Sequence, residues 1–194
     1  GCIHAGDAVT SMAVLPGERV LVGRASGVLH EVELSEVAYE AESLVLHSSP
    51  IHALAILPDS RVATASFDGV VGLWLRAGAG WVLLDHWRAP TGSEIGPMVA
   101  TAAGELLVAL AHPTQLLAVA FEGSKPAARV VWEVDDGAEG LCVVTHLTPR
   151  AGRCVSRDGL TRVVELDDET TNVRRAPGLL CPVRSAVRWY WLGW

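Results

Sequence analysis

At 194 residues and 20.6 kDa, with half its residues hydrophobic and 19% charged, the chain can build a sizeable core and lacks the composition of a disordered polypeptide. A net charge of −7 and a pI near 5.4 argue against nucleic acid as the main partner, because phosphate contacts rest on Lys and Arg. The longest uncharged run, Leu106 to Phe121, is too short to cross a bilayer, so no membrane partner is expected.

The chain opens Gly1-Cys2-Ile3, with neither an initiator Met nor a charged-then-apolar leader, which reads as a segment or a processed product. The first strand-like stretch runs from Val9 to Leu15 and ends at Pro16. It returns as Ile51 to Leu57 and Pro58, an offset of 42 residues. At the same offset Arg19-Val20 falls on Arg61-Val62 and Gly27-Val28 on Gly69-Val70. Between the two copies, Leu34 to Leu46 is the only stretch suited to a helical turn. A more diverged copy follows, with strands over Met98 to Ala102, Leu106 to Leu110 and Leu116 to Phe121, and a turn at Gly104. Another runs from Leu141 through Pro149 to Gly152, Arg153 to Ser156, Asp158-Gly159 and Thr161 to Leu166, and Val183 to Tyr190 is placed to open a fifth. Pro-Gly, Pro-Asp, Ser-Gly and Asp-Gly turns separate the strands, and Asp-Gly between apolar strands is a strong hairpin signal. Short strands repeating every 40 to 45 residues or so are the signature of a β-propeller.

The second unit resembles a WD repeat. That family ties each blade with a hydrogen-bonded relay of His, Ser, Asp and Trp, and here His47, Ser66, Asp68 and Trp74 stand at those places. The first unit keeps His4 but has Arg24, Ser26 and Val32 at the other three. The fourth keeps Ser156 and Asp158, with Val164 in place of the Trp, and the third has neither Ser nor Asp. The resemblance implies an all-β chain of four-stranded antiparallel blades over residues 3–46, 47–90, 91–137 and 138–180, with residues 181–194 a further start or a tail. A closed ring needs about four to eight blades. The chain is therefore expected to be an incomplete propeller, completed by further blades or a partner chain, or a small propeller. Trp189, Tyr190, Trp191 and Trp194 would then cap an open core or mark an interaction surface.

Reactive chemistry is not indicated. The four cysteines, Cys2, Cys142, Cys154 and Cys181, have no zinc spacing. Cys142 and Cys154 suit either a cross-hairpin disulfide or buried thiols; the second fits an intracellular, cytoplasmic protein. The histidines outside the relay, His30, His52, His86, His112 and His146, are scattered. The acidic clusters Glu133–Glu139 and Glu165–Glu169 read as solvated loops, without the spacing of a calcium loop. A lactonase-like propeller enzyme would need carboxylates on its inner strands. Their polar members here are Thr10, Ser11, His52, Thr145 and His146. No catalytic residue, cofactor or metal is expected. A protein–protein scaffold is the favoured role, a hydrolase or an incomplete gene product the alternatives. In WD-repeat proteins partners dock beside the turn Asp, which points here to Ala25, Phe67 and Arg157. Phe67 is either a docking anchor or packed against a neighbouring blade.

Overall fold

A computed structural model describes residues 7–34, 41–78, 80–91, 93–111, 114–121, 125–133, 141–148, 151–156, 161–166 and 171–175; residues 41–43 and those beyond 140 are described through the backbone only. The described residues contain sixteen strands and no helix.

The first blade consists of β1 (Val9–Leu15), β2 (Arg19–Arg24), β3 (Val28–Glu33) and β4 (Ala41–Val45). The second consists of β5 (Ile51–Ile56), β6 (Val62–Ser66), β7 (Val70–Ala77) and β8 (Gly80–Arg88). The third runs through β9 (Ile95–Ala100), β10 (Leu106–Leu110), β11 (Gln115–Ala120) and β12 (Ala127–Glu133). The fourth runs through β13 (Leu141–Thr148), β14 (Ala151–Ser156), β15 (Thr161–Leu166) and β16 (Thr171–Arg175). Each blade is a four-stranded antiparallel meander in chain order. The innermost strands β1, β5, β9 and β13 stand side by side, each beside its neighbour, so the blades fan out in sequence around one axis.

Of the stretch expected to form a helical turn, Ala41–Val45 form β4, and residues 35–40 lie outside the described residues. The ladder Val28↔Val45 through Val32↔Ala41 satisfies a whole row of backbone groups that a lone turn would leave to water. Val183 to Tyr190 lies outside the described residues. Cys154 stands opposite Val144 in the β13–β14 register, and Cys142 falls within a bulge between Leu141 and Val143.

The core lies between blades. Leu15, Leu21 and Leu29 of the first blade pack against Ile51 and Val62 of the second, with Leu54 and Ile56 beside them. Ala53, Ala63, Val71 and Leu73 on the opposite side meet Ile95, Leu106, Val108 and Leu117 of the third blade. Leu107, Ala109, Leu116 and Ala118 line the far side of that third blade. Alternation along each strand thus supplies two apolar faces per sheet, one for each neighbour.

The repeat is visible atom by atom. Ala25 N–H donates to the Ala8 carbonyl and Phe67 N–H to the Pro50 carbonyl; Gly27 and Gly69, both at positive φ, close their turns onto Arg24 and Ser66. Each of these pairs is separated by the same 42 residues seen in the sequence. At Gly27 the following segment comes so close that an added Cβ would lie 2.1 Å from the His47 carbonyl oxygen. Glycine is required there twice over, by conformation and by space.

Candidate binding surface and the polar relay behind it

The second blade carries a buried polar chain, but its hydroxyl member is Thr64. Trp74 Nε1–H donates to Thr64 Oγ1 at 2.9 Å, and Thr64 Oγ1 lies 2.7 Å from His47 Nε2. His47 Nδ1 lies 3.0 Å from Asp68 Oδ2. An indole N–H can only donate and a carboxylate can only accept. The direction therefore runs from Trp74 through the Thr64 hydroxyl and the His47 ring to Asp68. Thr64 is completely buried and His47 and Trp74 nearly so, and every donor in the chain has an acceptor, as a buried network requires.

Ser66, the expected serine, stands outside this chain. Its hydroxyl donates to the Ser49 carbonyl at 3.0 Å and accepts the Asp68 N–H at 3.2 Å, so it closes the turn. The register explains the exchange. Thr64 and Ser66 lie on one face of β6, and Trp74 is paired with Val62, with Gly72 opposite Thr64. The indole lies back over Gly72, where an added Cβ would meet Nε1 at 2.7 Å, and that path brings it to Thr64, two residue pairs along from its own. Thr64 and Gly72 are the members that the sequence reading missed.

Asp68 organises the loop end. Oδ1 accepts the Val70 N–H at 3.0 Å, and Oδ2 accepts the Ser48 N–H at 3.2 Å in addition to the His47 ring. The turn bearing Phe67 and the segment between β4 and β5 are thereby held as one surface.

In the first blade Val22 and Val32 occupy the positions of Thr64 and Trp74, and both are buried. Ser26 takes the place of Asp68, and its N–H donates to Asp7 Oδ2 at 2.9 Å. The Asp7 pKa is lowered, chiefly by the Ser26 side-chain hydrogen bond. His4 and Arg157 lie outside the described residues. Ala25 is half-buried in its turn.

A bulge recurs in the innermost strand. The β1–β2 and β5–β6 registers both slip at the second residue, between Val9 and Ser11 and between Ile51 and Ala53. The displaced residues are Thr10 and His52, and each reaches the next blade. Thr10 Oγ1 donates to the Ile51 carbonyl at 2.6 Å, as Ser11 does, and His52 Nε2–H donates to the Gly96 carbonyl at 3.1 Å. Bulges re-aim side chains in this way. The polar groups of the described inner strands are thus engaged in stitching blades together. Among the described residues no three His, Cys, Asp or Glu side chains gather as a metal site.

Phe67 projects from this loop face and is 59% exposed. One ring face lies against His52, with centroids 4.4 Å apart and planes 13° from parallel. His52 is fixed in turn by Gly96. Phe67 thus keeps a large open surface, and its ring contact is with His52 of its own blade.

Comparison with solved structures agrees with the architecture. The chain superposes on the β-propeller domain of Cps50 (Swd1) from Myceliophteria thermophila with a TM-score of 0.68 at 13% identity, over 88% of this chain and 58% of that one. It superposes on Hsv2 from Kluyvelomyces marxianus with a TM-score of 0.59 at 15% identity, over 84% of this chain and 59% of that one. The chain is a β-propeller. Its four blades span somewhat over half the length of these two propellers. No protein-family model matches, and no curated protein matches by sequence.

Proposed function

We propose that this propeller is a non-catalytic scaffold that binds protein partners on the face formed by residues 46–50, the turn 66–69 and residues 89–91, with Phe67 as the anchor. The observation that carries this reading is the combination found at Phe67. The ring is mostly exposed, yet it is immobilised by stacking on His52 and by a turn whose carboxylate accepts three hydrogen bonds. A rigid, solvent-facing aromatic loses little entropy on docking and contributes a large apolar area, which is what interface anchors do. Ala25 and Arg157 mark the equivalent turns of the first and fourth blades and would extend the footprint.

Exposed apolar residues of the edge strands on the side of the first blade turned away from the second support a second element of the proposal, completion by further blades or by a partner chain. Met12, Val14 and Val45 there are 68%, 73% and 74% exposed. Their repeat counterparts Leu54 and Ile56 pack against a neighbouring blade. The setting is proposed to be intracellular, in keeping with four cysteines in 194 residues.

The test is comparative affinity capture with the intact chain, Phe67→Ala, and Val130→Ala, which alters a residue 54% exposed on the outer strand β12. A protein recovered by the intact chain and by Val130→Ala, but lost with Phe67→Ala, supports the docking face. Recovery that survives Phe67→Ala rejects it.

A further inference from the structure

Among the described residues of the inner strands, His52 combines partial burial, a ring contact and a buried ring nitrogen without a hydrogen bond. Nε2–H is committed to the Gly96 carbonyl on β9, and one ring face is covered by Phe67. Nδ1 is buried and makes no hydrogen bond. We propose that His52 is an acid-responsive latch: proton uptake by its ring separates it from Phe67 and loosens the β5–β9 seam at the loop face. The regulatory meaning of the latch rests on Phe67 being an anchor, whereas the latch itself does not.

The argument starts from the surroundings of the ring. Ionisable groups on the elements packed around it are His47 in the preceding segment, Asp68 in the turn with Phe67, Glu94 at the entry to β9, and Arg19 and Arg24 on β2. Strands β1, β6 and β9 contain none. Asp68 is the carboxylate nearest in the chain to Phe67, and both its oxygens are already engaged by His47, Ser48 and Val70. A charged His52 would therefore lie half-buried beside backbone carbonyls but without a free counter-ion, and that is costly.

The direction of the pKa agrees with the geometry. Burial holds it below the ordinary histidine value, against upward pulls from the Gly96, Pro50 and Ile95 carbonyls and with a further downward push from His47. The stacked ring therefore gives up its proton at a pH where an opened, solvated ring keeps it. By linkage, the closed arrangement is fully stable above the ordinary histidine range and loses stability as pH falls through that range. The same step that frees His52 removes the support behind Phe67, so acid would weaken the docking face before the blades come apart.

The experiment uses the chain alone, so the latch can fail or hold whatever Phe67 binds. Histidine Cε1–H and phenylalanine ring signals are followed by NMR from about pH 8 to about pH 5, the interval in which histidines charge. Phe67 shares the spectrum with a single other phenylalanine, Phe121. His52→Asn identifies the His52 signal, and Phe67→Leu identifies the ring. Expected results are a His52 midpoint below that of the same residue in a peptide spanning 51–56, and a Phe67 step with the same midpoint. That step should vanish in His52→Asn, and in Phe67→Leu the His52 midpoint should move up. A His52 midpoint equal to the peptide's, or Phe67 signals that ignore the titration, would overturn the latch. If His52→Asn does not fold, wild type and Phe67→Leu, altered at an exposed position, still decide the matter.

Discussion

The first and second blades share strand order, turn hydrogen bonds and the bulge in the innermost strand, yet they fill the middle of the sheet in opposite ways. In the second, a threonine and a tryptophan are joined through a histidine to an aspartate. In the first, the same two positions are Val22 and Val32, both buried, and Ser26 stands where the aspartate would be. The position of Gly72 is taken by His30, because no indole needs the space. The comparison shows that the relay is not what makes a blade. At these central positions each blade has its buried polar atoms either hydrogen-bonded to one another or replaced by aliphatic groups.

The sharpest way to break that comparison is to exchange one isosteric pair. Thr64→Val leaves the Trp74 N–H and a His47 nitrogen buried without partners. At 1–3 kcal/mol for each orphaned group the expected loss is about 3 kcal/mol. Val22→Thr introduces a hydroxyl at a buried position whose present side chain has no polar atom and is expected to cost about 2 kcal/mol. Ser66→Ala removes two hydrogen bonds at the turn, the one donated to the Ser49 carbonyl and the one accepted from the Asp68 N–H, and should cost less, about 1–2 kcal/mol. Urea unfolding of the four proteins checks the order. If Ser66→Ala proved as damaging as Thr64→Val, the assignment of Thr64 as the linking hydroxyl would fail.

The next test concerns the space beneath the indole. Gly72→Ala places a methyl group 2.7 Å from Trp74 Nε1, and the backbone of β7 on one side and β6 on the other leave it nowhere to go. The ring must tilt away from Thr64, so overpacking and a lost hydrogen bond combine to about 2 kcal/mol. Near-ultraviolet circular dichroism should show the tryptophan environment altered. His30→Ala at the same place in the first blade should leave that signal unchanged.

How far the sequence led follows the same division. The blades were legible because a repeat at 42 residues and Asp-Gly or Ser-Gly turns are local signals, and three relay members stood at family spacing. The fourth member was not. Thr64 and Ser66 share a face of β6 by simple alternation, both offer a hydroxyl, and only the pairing of Val62 with Trp74 decides which one the indole reaches. A glycine two residues before a strand tryptophan was the available clue. The stack of His52 on Phe67 was out of reach for a similar reason, since a bulge turns His52 away from where strict alternation would send it. The stretch from Leu34 to Leu46 has a glutamate-rich composition that suits a helical turn, yet over Ala41–Val45 the ladder with β3 outweighs so weak a preference.

The two seams on either side of the second blade extend the comparison. Toward the third blade the seam is aliphatic, with Leu73 near its centre. Toward the first blade, Glu31 occupies the position equivalent to Leu73 and its carboxylate is buried. It accepts from Arg19 Nη1 at 2.7 Å, from Arg76 Nε at 3.0 and 3.1 Å, and from Trp81 Nε1 at 3.0 Å. Arg19 belongs to the same blade as Glu31, and Arg76 and Trp81 to the next, so one carboxylate joins strands across the seam. Glu31→Gln keeps the shape and removes the charge. The two arginines retain roughly a third of their surface in water, so the loss is expected at about 1–2 kcal/mol, well short of a fully enclosed ion pair. Because the partner is on another blade, the effect should appear as faster amide exchange in both β3 and β7, whereas Leu73→Ala should loosen the seam with the third blade instead. Protection that changes in β3 alone would show that the two blades hold together without this carboxylate.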